Sequence, residues 1–131
     1  MSKIKAIVMD VDGTLTNGKK QIPEKTKEVL LKAQSKGIKL ILASGRPTTG
    51  LMEFARELEM DKNNGLLVSF NGSKVVDCEN FEELFNEPMS VEDGKAVLEH
   101  MKKFKVKPMI DKGEHMLVNN VFDNIVHMKN G

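Results

Sequence analysis

Three short apolar runs alternate with two helical patterns over the first part of the chain. The runs cover residues 4–9, 38–43 and 66–70, and the first is nearly continuous and contains β-branched side chains. Such a run is typical of a strand that is buried on both faces of a parallel sheet. The order of the patterns therefore predicts a βαβαβ unit and an α/β fold.

Two amphipathic segments supply the helices of this unit. The first opens at Pro23 and Glu24 and ends before Gly37, which suits a left-handed C-cap. The second has apolar side chains at helical spacing at Leu51, Phe54, Ala55 and Leu58. Right-handed crossovers bring the carboxyl ends of the three strands to one edge of the sheet, where ligands bind in such folds.

The pattern changes after residue 70. Asn71-Gly72 is a turn dipeptide, and residues 73–77 resemble the return strand of a hairpin. Ser90 and Asp93 then form a capping-box pattern that opens a third helix with Val97, Leu98, Met101 and Phe104 on one side. Residues 106–110 and 116–118 predict two strands joined across Lys112-Gly113. About 50 residues bury too little surface to be a complete domain, so we expect an incomplete α+β element here.

Charge and cysteine content limit the class of partner and the cellular compartment that we expect. The 131 residues include 20 basic and 19 acidic side chains, a net charge of +1. This is too small for the one-signed field that binding to nucleic acid or to an anionic membrane requires, so we expect a small-molecule partner. The first apolar run is too short for a signal peptide or a membrane span. The single cysteine, Cys78, cannot form an internal disulfide, which fits the cytoplasm.

Two acidic residues follow the first predicted strand, in Asp10-Val11-Asp12-Gly13-Thr14. Gly13 lets the backbone turn tightly at the expected ligand-binding edge. Carboxylates at this spacing can share one divalent cation and face one phosphoryl group. Because a carboxylate repels an anionic phosphate ester, Asp10 needs a hard cation such as Mg²⁺ before it can attack phosphorus. We therefore expect Asp10 and Asp12 to bind Mg²⁺.

Three rival roles for the acidic pair fit the sequence less well. A hairpin turn requires a partner strand, and a helix follows instead. An EF-hand requires glycine at the sixth position and a glutamate at the twelfth, whereas this segment has Gly13 at the fourth and Gln21 at the last. A phospho-receiver domain carries its acceptor aspartate at the end of the third strand, and this chain has Phe70-Asn71-Gly72 there.

Ser44-Gly45-Arg46-Pro47 directly follows the second predicted strand. A hydroxyl and the N–H groups of a helix N-terminus would point at a bound anion there. In isolation the same residues are about as well explained by a simple helix N-cap. Their position beside the strand that bears Asp10 favours the anion site.

The segment Asp10 to Thr16 resembles the first motif of haloacid dehalogenase (HAD)-type phosphatases. The resemblance implies that Asp10 is the nucleophile that becomes an aspartyl phosphate, and that Asp12 protonates the leaving alcohol and then activates water. The neighbouring carboxylate should raise the pKa of Asp12 while a bound cation opposes the shift, which leaves the net direction open. Ser44 would be the phosphate-binding hydroxyl, and Arg46 a contact to substrate or an orienting group.

Ala43 to Pro47 together with Phe70-Asn71-Gly72 is similar to the Cof-type sugar-phosphate phosphatase branch. The resemblance implies a HAD-like Rossmannoid parallel sheet, a Mg²⁺ cofactor and a substrate such as a sugar phosphate. Asn71 would lie at the rim of the active site, with Gly45 in the phosphate site. A type I′ turn also accounts for Asn71-Gly72 fully. Residues 1–79 would form the N-terminal half of the core, and residues 80–131 the beginning of an inserted α+β cap.

The family also carries a lysine and a Gly-Asp motif in the core half that follows the cap, and this sequence has no Gly-Asp dipeptide. We therefore expect an incomplete active site and a first strand left as an exposed apolar edge, open to self-association. A truncated or cleaved product, a natural half that needs a partner chain, and a degenerate protein all fit; we favour the first. The competing class is a non-catalytic module for metal or phosphate binding or for association.

Overall fold

The computed structural model of the chain describes residues 3–113 and 115–118. Its α-helices and strands follow one another as β1 (Ala6–Met9), α1 (Glu24–Ser35), β2 (Lys39–Ala43), α2 (Met52–Glu57), β3 (Leu66–Ser69), β4 (Lys74–Asp77), β5 (Glu83–Asn86), α3 (Val91–Met101), β6 (Met109–Lys112) and β7 (His115–Val118). The predicted βαβαβ unit is confirmed.

The first seven elements form the larger of two compact units, Met1–Pro88. Its five strands lie in the order β1-β2-β3-β4-β5, with β1, β2 and β3 parallel and the last two antiparallel to their neighbours. The carboxyl ends of the three parallel strands therefore meet at one edge, which is where the sequence places its acidic and hydroxyl residues.

One face of this sheet carries the core. Register pairs Met9 with Leu42 and Leu42 with Leu67, so these side chains share a face. Leu42 and Leu67 are fully buried, in one cluster with Leu30 of α1 and Phe54 of α2. Both helices pack on this face because both crossovers have the same hand.

The opposite face of the sheet contradicts the prediction that the first strand is buried on both faces. The sequence predicts that the first strand is buried on both faces, but Val8 is 63% exposed while Ile7 and Met9 pack against the core. The reason is position, since β1 is an edge strand of the sheet. The expectation of an exposed apolar edge strand is confirmed within the described residues.

Helix ends follow local chemistry in most places. Gly37 has φ +81° after α1, and its N–H donates to the carbonyl of Gln34 at 2.8 Å, as expected of a left-handed C-cap. Ser90 caps α3 by accepting from the N–H of Asp93 at 3.0 Å. Phe104 is not part of that helix, which ends at Met101, so the predicted helix is too long.

The second unit, Met89–Gly131, contains α3 and an antiparallel hairpin of β6 and β7. The predicted domain boundary between residues 79 and 80 precedes the end of the first unit, because β5 pairs with β4 and extends the sheet. The domain limits themselves stay a prediction. None of the helices in the described part of the chain combines the length and the apolarity that a membrane span requires.

Candidate active site

The acidic pair lies in a tight turn at the end of β1. The turn Val11–Leu15 is closed by the N–H of Leu15, which donates to the carbonyl of Asp10 at 3.2 Å. Gly13 has φ +79°, a conformation that glycine adopts without strain. Val11 and Leu15 are buried and anchor the turn in the core, whereas Asp10 and Asp12 are exposed. The chain thus presents both carboxylates outward from the sheet edge.

Arg46 binds Asp12 through two hydrogen bonds. Its Nε donates to Oδ2 of Asp12 at 2.8 Å, and its Nη2 donates to Oδ1 at 2.6 Å. Nη1 also donates to the carbonyl of Gly50 at 3.3 Å, and the guanidinium lies 5.3 Å from the ring centroid of Phe54. A two-point ion pair of this kind fixes orientation as well as charge. The loop after β2 is therefore joined to the loop after β1.

The ion pair determines the titration of Asp12. Hydrogen bonding to Arg46 lowers the pKa of Asp12 below its ordinary value of 3.8, against a smaller opposing effect of burial and with help from the charges of Arg46 and Lys20. The same hydrogen bond raises the pKa of Arg46, and the charge of Asp10 contributes to that increase. The sequence leaves the net direction of the Asp12 pKa open; in this state the pKa is lowered, because the hydrogen bond to the Arg46 guanidinium is the largest effect.

Ser44 lies at the carboxyl end of β2 and is almost fully buried. Its backbone N–H donates to the carbonyl of Val68 at 2.9 Å, and its Oγ accepts from the N–H of Arg46 at 3.2 Å. The hydroxyl hydrogen has no acceptor within residues 3–113 and 115–118. It remains available to a ligand oxygen.

The expectation of a helix N-terminus beside Ser44 is wrong, and so is the N-cap interpretation. Pro47 leads into a short 3₁₀ turn, Thr48–Gly50, and α2 begins only at Met52. Leu51, not Ser44, precedes that helix. Ser44 therefore has no α-helix starting directly after it.

Asn71 contacts the Ser44 segment directly. Its N–H donates to the carbonyl of Ser44 at 3.2 Å. A Cβ at Gly45 would lie 2.9 Å from Oδ1 of Asn71, so only glycine fits without displacing that amide. The five predicted residues Asp12, Ser44, Gly45, Arg46 and Asn71 are thus connected, and Asp10 acts on Arg46 through its charge.

The carboxylates of Asp10 and Asp12 are suitable ligands for a hard cation, but they are too few to complete its coordination. Within the described residues, no group of three His, Cys, Asp or Glu side chains forms a metal-binding cluster. The carboxylate of Asp10 has no hydrogen bond or ion pair in that part of the chain, whereas both carboxylate oxygens of Asp12 are bonded to Arg46. Carboxylate oxygens are the ligands that Mg²⁺ prefers, and of the two acidic side chains that of Asp10 is the one not bonded to Arg46.

Comparison with known proteins decides the family. The family model described as haloacid dehalogenase-like hydrolase matches residues 7–131. This chain belongs to that family. A crystal structure of a haloacid dehalogenase-like hydrolase from Bacteroides thetaiotaomicron is 35% identical, with a TM-score of 0.88 over 97% of this chain and 48% of that one.

Two further relatives have more specific names. The HAD subclass IIB sugar phosphatase BT4131 is 27% identical, with a TM-score of 0.72 over 94% of this chain and 49% of its own. The 5-amino-6-(5-phospho-D-ribitylamino)uracil phosphatase YcsE of Bacillus subtilis is 31% identical over 74 residues, 56% of this chain and 28% of YcsE. The chain therefore spans about half the length of the solved HAD structures that it matches.

Removing the guanidinium is expected to restore the pKa of Asp12. In Arg46→Ala the pKa should rise toward the ordinary carboxyl value, because its largest cause of depression is gone. Carbon-detected NMR titration of the Asp12 carboxylate measures this directly. Arg56→Ala removes the same charge from an exposed position on α2 and should leave the titration unchanged. An equal shift in both variants would contradict the assignment.

The same pair gives a pH dependence of stability with a defined sign. Because the folded pKa of Asp12 is depressed, its contribution is complete above the unfolded pKa and is lost as pH falls through the folded pKa. Half of the Asp12 side chain is exposed, so the contribution should stay below about 1 kcal/mol. The difference in urea unfolding between wild type and Arg46→Ala should shrink as the pH falls, leaving the part that is due to the contacts of Arg46 with Gly50 and Phe54.

Proposed function

We propose that the protein containing this chain is a Mg²⁺-dependent phosphomonoester hydrolase that acts through an aspartyl phosphate on Asp10. The observation that carries the proposal is the convergence of Asp10, Asp12, Ser44 and Arg46 at the carboxyl ends of adjacent parallel strands. Carboxylate, hydroxyl and guanidinium are the groups that attack, bind and neutralise a phosphoryl group.

Asp12 is bonded to Arg46 and the Asp10 carboxylate is not, and this difference supports different roles for the two side chains. Asp10 is exposed, and its carboxylate has no hydrogen bond or ion pair in the described part of the chain, as a nucleophile requires. Ser44 would offer its hydroxyl hydrogen to a phosphate oxygen, and Gly45, packed against the Asn71 amide, would lie beside it in the phosphate site. Arg46 carries the positive charge that attracts the ester.

Asp12 acts as the general acid and base once Arg46 leaves it. In the ion pair its depressed pKa keeps it ionised near neutral pH, so it cannot donate a proton to the leaving alcohol. Transfer of Arg46 to the substrate phosphate removes the main cause of that depression, and the negative charges of Asp10 and the phosphate would then favour protonation of Asp12 against the effect of the bound cation. Substrate binding and proton donation are thereby linked through one side chain.

Asp10 and Asp12 would hold the metal. Bound Mg²⁺ supplies charge that offsets the repulsion between the nucleophile and the phosphate ester. The described residues contribute two carboxylates to this site, fewer oxygen ligands than the ion usually takes, so water and substrate would supply further ligands.

The substrate class follows from the relatives and from charge. YcsE is named for a phosphorylated ribityl compound and BT4131 as a sugar phosphatase, so a small phosphorylated metabolite such as a sugar phosphate is proposed. The net charge of +1 favours neither nucleic acid nor membrane. We assign residues 1–79 to half of the catalytic core and residues 80–131 to the start of a cap that selects the substrate.

The proposed location is the cytoplasm. Cys78 is a free, buried thiol whose pKa is raised to about 12, mainly by desolvation, so it is an inert core residue. A core built around a reduced cysteine fits a reducing compartment.

A second candidate function is association through the edge of the sheet. β1 lies at that edge, and Ile4 and Val8 are 67% and 63% exposed. An unpaired apolar edge strand can pair with a second copy of the chain. A pure association module would bind neither metal nor phosphate.

Metal removal separates the two functions. Calorimetric titration of the chain with beryllofluoride, an aspartyl-phosphate mimic, is expected to give uptake with Mg²⁺ present and none after chelation with EDTA. Phosphate release from monoesters by this chain alone is expected to be very poor. Absence of metal-dependent uptake, with dimers at the same concentration, would favour the association module.

A further inference from the structure

The turn at the end of β3 is hydrogen-bonded to the loop that carries Arg46. We call residues 69–71 the clamp turn and residues 44–48 the Arg46 loop. Three hydrogen bonds join them: Asn71 N–H to the Ser44 carbonyl at 3.2 Å, Phe70 N–H to the Arg46 carbonyl at 3.0 Å, and the hydroxyls of Ser69 and Thr48 at 2.8 Å. These bonds hold both ends of the loop and its centre.

Of these three hydrogen bonds, the one between the Ser69 and Thr48 hydroxyls joins two side chains. Ser69 is fully buried at the end of β3, and its Oγ also lies 3.5 Å from the carbonyl of Lys74. When Ser69 donates to Lys74, the Thr48 hydroxyl donates to Ser69. A buried hydroxyl that loses its partner is costly, so the pair resists separation.

The clamp turn has an unusual backbone. Phe70 and Asn71 have φ of +51° and +56°, in the left-handed region that side chains other than glycine seldom adopt. Residues in such conformations persist only where the surrounding structure holds them, and they cluster at functional sites. Here the conformation directs two successive N–H groups at the Arg46 loop.

We propose that Ser69 and Thr48 are positioning residues, whose hydroxyl pair fixes the Arg46 loop so that the guanidinium reaches Asp12. Neither hydroxyl touches the acidic pair, and both act through Arg46. Arg46 spans from this loop to a carboxylate that is 34 positions away in sequence, so a small displacement of its backbone breaks the two-point geometry. The importance for catalysis rests on the proposed function, but the positioning itself does not.

The NMR signal of the Arg46 side chain tests the positioning. A slowly exchanging Nε–H cross-peak is expected in wild type, because that N–H is bonded to Asp12. Thr48→Val keeps the shape of the side chain but removes the hydroxyl, and should broaden or shift this peak. Thr48→Ser keeps the hydroxyl and should retain it. Thr49→Val, at the neighbouring position, is the matched control and should also retain it.

Ser69→Ala removes the same hydrogen bond from the other partner and should reproduce the effect of Thr48→Val. An unchanged Nε–H peak in both variants, with the fold intact by backbone spectra, would overturn the proposal. The affinity for beryllofluoride with Mg²⁺ should fall roughly 3- to 10-fold in Thr48→Val, the scale of one lost hydrogen bond. If wild type takes up no beryllofluoride, the proposed function fails. The Arg46 Nε–H peak then still tests whether Ser69 and Thr48 position Arg46.

Discussion

Asp10→Asn is expected to abolish the Mg²⁺-dependent uptake of beryllofluoride. Beryllium bonds to a carboxylate oxygen, and the amide lacks both the charge and the second equivalent oxygen. Loss of an outer-shell partner of a metal ligand already weakens metal binding roughly 10- to 100-fold, so loss of a direct ligand should cost at least about 100-fold. Calorimetry on wild type and variant under identical conditions gives the ratio.

Asp61→Asn is the matched control for this change. Asp61 lies in the short turn Met60–Lys62 that leads into β3, at the end of the sheet away from the acidic pair. It makes the same change in net charge and should leave uptake unaltered. Equal losses in both variants would mean that uptake depends on overall charge and not on Asp10.

Leu42→Ala should destabilise the first unit severely. Leu42 is fully buried on strand β2, between Met9 and Leu67 in register. Truncation removes buried methyl groups and leaves a cavity, which costs about 2–5 kcal/mol. A small domain has a total free energy of unfolding of only about 5–15 kcal/mol. Urea denaturation followed by circular dichroism measures the loss.

Val8→Ala is the comparison on the opposite face of the sheet. Val8 pairs in register with Ile41, the neighbour of Leu42, but is 63% exposed. Its truncation should change the free energy of unfolding by less than about 0.5 kcal/mol. A loss as large as that of Leu42→Ala would show that the outer face is covered in solution.

The sequence predicts the parallel part of the fold well because each element carries its own signal. Periodicity identifies the helices, and Gly37 and Ser90 mark a helix end and a helix start through local chemistry. The strand Glu83–Asn86 is missed because it has no β-branched residue and no buried position to give an alternating pattern. It forms because β4 offers a free edge, which is a tertiary cause.

The two-sided burial of β1 is wrong for a related reason. An apolar run shows which side chains favour burial, but not how many elements are present to cover them. The same run is typical of an interior strand, and here its strand lies at the edge.

The sequence predicts where the candidate site residues lie, but not which of them are bonded to one another. Strand order alone places Asp10, Asp12 and Ser44 at one edge, since the carboxyl ends of parallel strands meet there. The ion pair between Arg46 and Asp12 depends on the path of a long side chain across 34 positions of sequence, which periodicity does not encode. The link from Ser69 to Thr48 likewise joins two hydroxyls with no shared motif.

A crystal structure of this chain with Mg²⁺ and beryllofluoride tests the central claim most directly. We predict beryllium bonded to a carboxylate oxygen of Asp10, with a fluorine accepting from the Ser44 hydroxyl and the guanidinium of Arg46 turned from Asp12 toward the fluorides. Beryllofluoride bound elsewhere, or an Asp10 carboxylate that stays free at saturating concentrations, would contradict the claim that Asp10 is the phosphoryl acceptor.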